Sequence, residues 1–355
     1  PLDALGHVFG TPETVQQPTC TSAGKNIAKC TFDGCNETQE EVIPALEHSM
    51  IKHDLVPATM SAEGTCEYYE CELCHNTFLD PDGYQESPVI KIAKIKSVTL
   101  STTKYIHDGK NKTPKVTVID ADGNKLVKNV DYKIIVASKR SGIGRYTVKV
   151  TFIGAYSGSK NVYFYILPGK PASVKSASQT TSSVKLSWSA VSGAAGYTVY
   201  RYSPSKKAYV KAGTTEGTSF TVKSLYAGTK YTFRVVAYGK TSGGKVYDSE
   251  SYALLKTATK TKTPELTKVT ASSTKGKAYV YHTDVKGETG YTVYYSTSKT
   301  SGFKKYANFK ADTTRCDITG LTSGKTYYFK VRTYIKTDSG YVYSAWSAVK
   351  SVKVK

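Results

Sequence analysis

From residue 91 onward, apolar and polar positions alternate with a period of two. Ile95-Lys96-Ser97-Val98-Thr99-Leu100, Lys115-Val116-Thr117-Val118 and Tyr146-Thr147-Val148-Lys149-Val150-Thr151-Phe152 set the pattern. Val184, Leu186 and Trp188 continue it, then Tyr197 and Val199, then Phe220, Val222 and Leu225, then Tyr231, Phe233, Val235 and Ala237. Successive side chains of a strand point to opposite faces, so this spacing predicts strands with one face on a core. Asp108-Gly109, Asp122-Gly123 and Ser157-Gly158 punctuate the runs as turns. No apolar run is long enough to cross a bilayer as a helix.

The pattern also repeats over a longer distance. Gly196-Tyr197-Thr198-Val199-Tyr200 returns, 94 residues on, as Gly290-Tyr291-Thr292-Val293-Tyr294. Ala278, Val280 and His282 answer Val184, Leu186 and Trp188, while Cys316, Ile318 and Leu321 answer Phe220, Val222 and Leu225. Leu225-x-x-Gly228-x-x-Tyr231 and Leu321-x-x-Gly324-x-x-Tyr327 give each copy a tyrosine corner, whose hydroxyl ties back to the preceding loop. A period of this length suits a small β-sandwich rather than a solenoid. With these landmarks, residues 170–260 and 261–355 each resemble a fibronectin type III module. The alignment assigns Cys316 and His282 to core positions, the thiol inert and the imidazole structural. No acidic residue and nucleophile converge on His282 in a recognised catalytic order. Outward tyrosines such as Tyr200, Tyr202, Tyr294 and Tyr295 can stack on sugar rings, or pack across strands. Cross-strand packing is the expectation, because no Trp cluster or acidic triad marks a carbohydrate groove.

Residues 91–169 read as another small sandwich. Their landmarks include Tyr105, Asp108-Gly109-Lys110, Thr113-Pro114, Val116-Thr117-Val118, Asp131-Tyr132, Gly154 and Tyr156-Ser157-Gly158. They are similar to the YDG-type repeat of bacterial surface proteins, which implies an Ig-like stalk unit. Gly142-Ile143-Gly144 is not a dinucleotide loop, for it lacks the third Gly and no helix follows.

Composition divides the chain at the same place. The 355 residues include 29 Tyr but only 2 Met and 2 Trp, a balance that favours strands. Residues 1–90 hold 3 Lys/Arg against 15 Asp/Glu, a net −12, and residues 91–355 hold 46 against 13, a net +33. The basic part can meet anionic polymers, but its Lys are spread evenly, as on solvated strand faces that keep edges soluble. The chain opens on Pro1 with no visible signal peptide, and reads as a mature or excised piece.

Cysteine brings the candidate chemistry. Six of the seven lie in residues 20–74, and the seventh is Cys316. Ala4-Leu5-Gly6-His7 is echoed by Ala45-Leu46-Glu47-His48, and each His leads three Cys: Cys20, Cys30 and Cys35, then Cys66, Cys71 and Cys74. A segment of about 40 residues is too short for a self-sufficient core and needs a staple. Three Cys and one His make a tetrahedral zinc set, once per module, whereas disulfides want an even count. The expected ligands are His7, Cys20, Cys30 and Cys35 for one zinc, and His48, Cys66, Cys71 and Cys74 for the other, with His53 or His75 as substitutes. Both sites would be closed and structural. Disulfides remain the alternative. Cys71-Glu72-Leu73-Cys74-His75 also fits c-type haem attachment, but the first module has no counterpart and Cys66 would be left over. The acidity of the region argues against a zinc-finger reader of nucleic acid.

The order His7, Cys20-Thr21, Cys30, Cys35, Ile43-Pro44-Ala45-Leu46, His48 resembles short Cys/His repeats of secreted, multi-modular surface proteins of Gram-positive anaerobes. Tyr68-Tyr69, Cys71, Cys74, Phe78 and Asp82-Gly83 resemble a variant of that repeat. Members often carry Cys where Met60 stands, and Cys66, six residues on, is read as its replacement.

The expected architecture is mainly β: tandem Ig-like and fibronectin type III sandwiches after two metal-stapled modules. The boundaries are 1–46, 47–90, 91–169, 170–260 and 261–355. The expected role is a non-catalytic extracellular stalk or adhesion segment at a bacterial cell surface. The alternative is an accessory glycan- or glycoprotein-binding region of a larger secreted enzyme. Candidate partners are a glycan, a host glycoprotein or a cell-wall polymer, with no nucleic acid and no membrane insertion. The chain is expected to be monomeric and extended.

Overall fold

The computed structural model describes residues 6–355, so Ala4 and Leu5 of the N-terminal echo lie outside the described residues. The described elements are all β-strands. The chain divides into two compact units, and the division runs through residues 91–169. The first unit extends to Thr103 and adds Thr113–Ser138 and Thr147–Phe164; the second holds Lys104–Lys112, Lys139–Tyr146 and Tyr165–Lys355.

In the first unit, Glu13–Gln16, Gly24–Lys29 and Thr38–Ile43 form one antiparallel sheet, and Met50–His53, Tyr68–Cys71 and Thr77–Phe78 form another. These strands are short and mostly exposed. Their buried cluster is Cys20, Cys71 and Phe78, with Met50, Tyr69 and Cys74 against it. Half of that cluster is thiol. That is little apolar surface to set against the entropy of ordering these residues. Gly24 and Gly64 occupy equivalent places. A Cβ at Gly24 would fall 2.6 Å from the Gln16 carbonyl, and one at Gly64 would fall 2.2 Å from that of Val56.

The β-rich remainder of this unit is better filled. Ile95–Leu100 pairs antiparallel with Val116–Asp120, and Tyr132–Val136 with the second half of Gly144–Phe152. Ile95, Val118, Val148, Val150 and Phe152 lie inside. The buried Asp120 closes the Asp122-Gly123 turn, its Oδ1 accepting from the Asn124 amide at 2.7 Å.

The second unit contains two sandwiches of one design. In the first, a sheet of Lys175–Gln179, Val184–Ser187 and Ser219–Val222 faces a sheet of Ala208–Thr215, Gly196–Ser203, Lys230–Lys240, Val246–Asp248 and Ala253–Ala258. In the second, Leu266–Ala271, Ala278–His282 and Arg315–Ile318 face Lys304–Lys310, Gly290–Ser296, Thr326–Thr337, Gly340–Tyr343 and Lys350–Lys353. The inward positions are Val184, Leu186, Val199, Phe233, Val235 and Ala237 in one, and Ala278, Val280, Val293, Phe329 and Val331 in the other, all fully buried. Each large aliphatic or Phe side chain so buried contributes about 1.5–3 kcal/mol. The register repeats down to its irregularities, with a bulge at Val199/Tyr200 and at Val293/Tyr294.

Both tyrosine corners form. The Tyr231 hydroxyl accepts from the Tyr226 amide at 2.8 Å, and that of Tyr327 from the Thr322 amide at 3.0 Å. His282 takes the place of Trp188: Trp188 packs on Tyr197 with ring centroids 5.2 Å apart, and His282 on Tyr291 at 4.1 Å. Cys316 pairs with Val280 as Phe220 pairs with Leu186. Its Sγ lies 3.6 Å from His282 Nε2, whose ring donates through Nδ1–H to the Thr283 carbonyl at 3.0 Å. Burial, and after it the charge of Asp317, pushes the Cys316 thiol up to about 12. Burial lowers the His282 pKa. A neutral thiol beside a neutral imidazole takes the place of a larger hydrophobic pair.

Two expectations follow. Tyr231→Phe and Tyr327→Phe each remove a hydrogen bond and cost their own sandwich about 1 kcal/mol, read as a lower urea midpoint. Cys316 stays unlabelled by a thiol reagent until denaturant is added, because a buried thiol of raised pKa offers no thiolate; rapid labelling of the native chain would contradict this placement.

Candidate metal centres

Two groups of metal-ligating side chains form in the first unit. Cys20, His48, Cys71 and Cys74 bring one donor atom each within 4.8 Å of one another, as do His7, Cys30 and Cys35.

The four-donor group is built mainly by tight turns. Cys71 ends the strand Tyr68–Cys71, and its carbonyl accepts from the His75 amide at 2.9 Å while its own amide donates to Asn76 at 3.0 Å. That loop turns Cys74 back beside Cys71. His48 enters from the chain before Met50–His53. Gly83 presses on its ring, for a Cβ there would fall 2.7 Å from His48 Cδ2 and 2.6 Å from the Met50 methyl. Asp80 holds the Gly83 loop, its carboxylate accepting from the amides of Asp82, Tyr84 and Gln85 at 3.1, 3.1 and 2.6 Å. These bonds, Tyr84 first, also keep the Asp80 carboxyl below its usual range against the effect of burial.

Cys20 completes the group from the other sheet's connections. Its Sγ lies 3.7 Å from Cys71 Sγ, and Cys74 Sγ lies 3.6 Å from His48 Nδ1. In a tetrahedron with metal–sulfur bonds of about 2.3 Å and metal–nitrogen bonds of about 2.0 Å, sulfurs are about 3.8 Å apart and sulfur–nitrogen edges about 3.5 Å. The two measured edges, Cys20–Cys71 and Cys74–His48, are thus of the length a tetrahedral zinc site would have. Burial pushes the Cys71 thiol up, but the Cys74 amide and the His48 ring more than offset it and bring it down to about 6. Burial, then hydrogen bonds to Cys71 and Cys74, push the Cys20 thiol up to about 11. The Cys71 thiol thus ionises readily while the Cys20 thiol resists, and a divalent cation beside both would relieve that opposition.

The three-donor group is more open. Cys35 Sγ lies 3.3 Å from His7 Nδ1, and a turn with the Cys35 amide on the Phe32 carbonyl at 3.1 Å joins Cys35 to Cys30. Burial raises the Cys30 thiol, but Cys35 and the Phe32 backbone, with lesser help from His7, bring it down to about 7.

The grouping differs from the sequence expectation in two residues. Cys20 does not join His7, Cys30 and Cys35, and Cys66 joins neither group. The physical reason is a backbone bond. The Leu46 amide donates to the Thr19 carbonyl at 3.0 Å, so the chain leaving the first module toward His48 passes beside Cys20. Cys66 is instead tied into an edge, its amide donating to the Ile90 carbonyl at 2.9 Å. The signal that could have found this is the match of Cys20 to Met60, not to Cys66. His53 and His75 join neither group: both approach Glu70, at 3.3 and 3.5 Å, and His53 stacks on Tyr68. A buried Cys71 beside Cys20, with His75 turned to Glu70, does not suit haem attachment.

Elsewhere, Asp284, Glu288 and Asp312 also come together. Two of them are engaged internally, Asp284 by the Tyr291 hydroxyl at 2.9 Å and Glu288 by the Asp312 amide at 3.1 Å. The outward tyrosines are packed against neighbours: Tyr202 on Tyr209, Tyr294 edge-on to Trp346, and Tyr295 between Tyr306 and Tyr327.

Comparison with known proteins bears on the sandwiches. Residues 169–251 match the model of the fibronectin type III domain. Chitinase A1 of Niallia circulans is 28% identical over 182 residues, which are 50% of this chain and 25% of that protein. The chain thus spans a quarter of the length of this relative. Among solved structures, a two-domain fibronectin type III segment of chicken tenascin is 21% identical, with a TM-score of 0.29, over 52% of this chain and 98% of its own. The FN1–FN3 domains of chicken CNTN1 are 14% identical, with a TM-score of 0.34, over 74% of this chain and 100% of theirs. The chain therefore carries one fibronectin type III domain at 169–251 within an all-β, multi-sheet architecture.

Proposed function

We propose that this chain is a non-catalytic extracellular region that spaces and presents other domains at a bacterial surface, its N-terminal modules stapled by structural zinc. The observation that carries the spacer reading is the joint between the two sandwiches of the second unit. Ala258 packs with Ile335 and Val342, all buried. Thr259 and Thr261, in the connecting segment, are 0% and 3% exposed. The Thr261 hydroxyl bonds that of Thr333, Ser339 donates to the Lys256 carbonyl at 3.0 Å, and Lys256 faces Asp338 at 3.0 Å. A flexible tether would leave its linker solvated and polar. A buried connection fixes one sandwich on the next, as a spacer requires.

The second reading is an accessory, polysaccharide-directed region of a larger secreted enzyme. The match to chitinase A1 favours it. A glycan array that includes chitin oligomers separates the two: specific retention of the chain supports the accessory role, and none supports the spacer.

In the zinc reading, His48, Cys71, Cys74 and Cys20 hold one ion, while His7, Cys30 and Cys35 supply three ligands to another. The metal supplies cross-linking, with no open position at the four-ligand centre for substrate. Chelation is then expected to unfold residues 1–90 and spare the sandwiches, because binding and folding are one equilibrium in so small a segment. Intact amide spectra of that segment after chelation would contradict this. Gly83→Val should weaken metal binding at the His48 centre by at least about tenfold through displacement of the His48 ring, while metal at His7, Cys30 and Cys35 is unchanged. For the joint, residual dipolar couplings should fit one alignment tensor for both sandwiches, and two after Ile335→Ser. Two tensors in the parent chain would refute a fixed joint.

A further inference from the structure

The two Cys/His modules are built alike and differ by one thiol. In the first, the Thr19 amide donates to the Ser22 carbonyl and the Ser22 amide to the Thr19 hydroxyl; in the second, Thr59 and Ala62 make the same pair of bonds. The chain leaving each module returns to this turn, through Leu46 to the Thr19 carbonyl and through Ile95 to that of Thr59. The residue after the Thr is Cys20 in one and Met60 in the other. These are structural counterparts.

Cys20 does not serve its own module. It completes the group of the next, with His48, Cys71 and Cys74. In turn, His7, Cys30 and Cys35 are the counterparts of those three. The first Cys of each pair closes a loop with its amide, Cys30 on Glu37 and Cys71 on Asn76, and the second faces the leading His. Each group is thus one module's His and Cys pair, plus a place for a thiol handed over from outside that module. At His48 the place is filled. At His7, no further His, Cys or carboxylate of the described residues joins.

Resting on the zinc reading, we infer that His7, Cys30 and Cys35 form a receiving site, completed by the thiolate on the Thr-Cys turn of another Cys/His module placed before His7. The relay has a direction. Met60 ends it, because a thioether carries no charge for zinc, and after residue 91 the described residues bring no three Cys or His donors together, the buried Cys316–His282 pair standing alone. The donor cannot be this chain's own Cys20, which is buried in the His48 centre, and Cys66 is held at the Ile90 edge.

The test uses cobalt(II), whose sulfur charge-transfer band counts thiolates. The full chain should bind one ion with three thiolates and a second with two. A chain extended by a copy of residues 7–46 before Gly6 is compared with the same extension whose added Cys, the counterpart of Cys20, is replaced by Ser. The Cys form should show one more thiolate per molecule, with affinity at the His7 centre higher by at least about tenfold. Three thiolates at both centres of the unextended chain, whether as monomer or as a metal-linked dimer, would overturn the inference. Equal spectra and affinities for the two extended forms would overturn it as well. The His48 centre reports on folding throughout: cobalt absent there would mean that the zinc reading itself fails, whereas cobalt present there without the gain sinks only the relay.

Discussion

On the zinc reading proposed above, residues 6–90 depend on a few sulfur atoms standing 3 to 4 Å from one another and from an imidazole. The buried cluster of the described residues there is small, consisting of Cys20, Cys71 and Phe78. The strands around it are short and exposed, and their hydrogen bonds alone do not offset chain entropy. Gly24 and Gly64 let the chain close on itself, Asp80 fixes a loop, and Gly83 packs on the His48 ring. The acidic surface suits a cation site and disfavours contact with phosphate polymers.

The second unit solves the same problem by different means. Alternating Val, Leu, Phe and Tyr fill two sandwiches, so no staple is needed. The pair His282 and Cys316 shows the tolerance of that solution: a Trp and a Phe in one copy become an imidazole and a thiol in the other, within the same register. The tyrosine corners and the strand bulges are kept, because they set how the sheets turn and close. The buried joint at Ala258, Ile335 and Val342 then makes the two sandwiches one mechanical element.

Much of this was legible in the sequence. Strand faces follow directly from the period-two pattern, and the 94-residue repeat placed His282 and Cys316 in a core before any coordinates. The cysteine groups were legible only in part. Cys71 and Cys74 stand together, as do Cys30 and Cys35, because short loops join them, and the strand pairings Met50–Cys71 and Phe9–Cys30 bring in His48 and His7. Cys20 was misplaced, since its partner choice depends on a single long-range bond from Leu46 to Thr19 that no local spacing encodes. The joint was not legible either. Ala258, Thr259 and Thr261 read as ordinary strand-end and linker residues, and only packing shows them buried.

The central claim is that one thiol of the first module belongs to the centre of the second. Alkylation of the zinc-loaded chain, read cysteine by cysteine in a mass spectrometer, tests it most directly. Cys20, Cys71 and Cys74 should be protected together and released together by a chelator, while Cys66 is modified from the start. Protection of Cys66 with Cys71 and Cys74, and early modification of Cys20, would contradict the account.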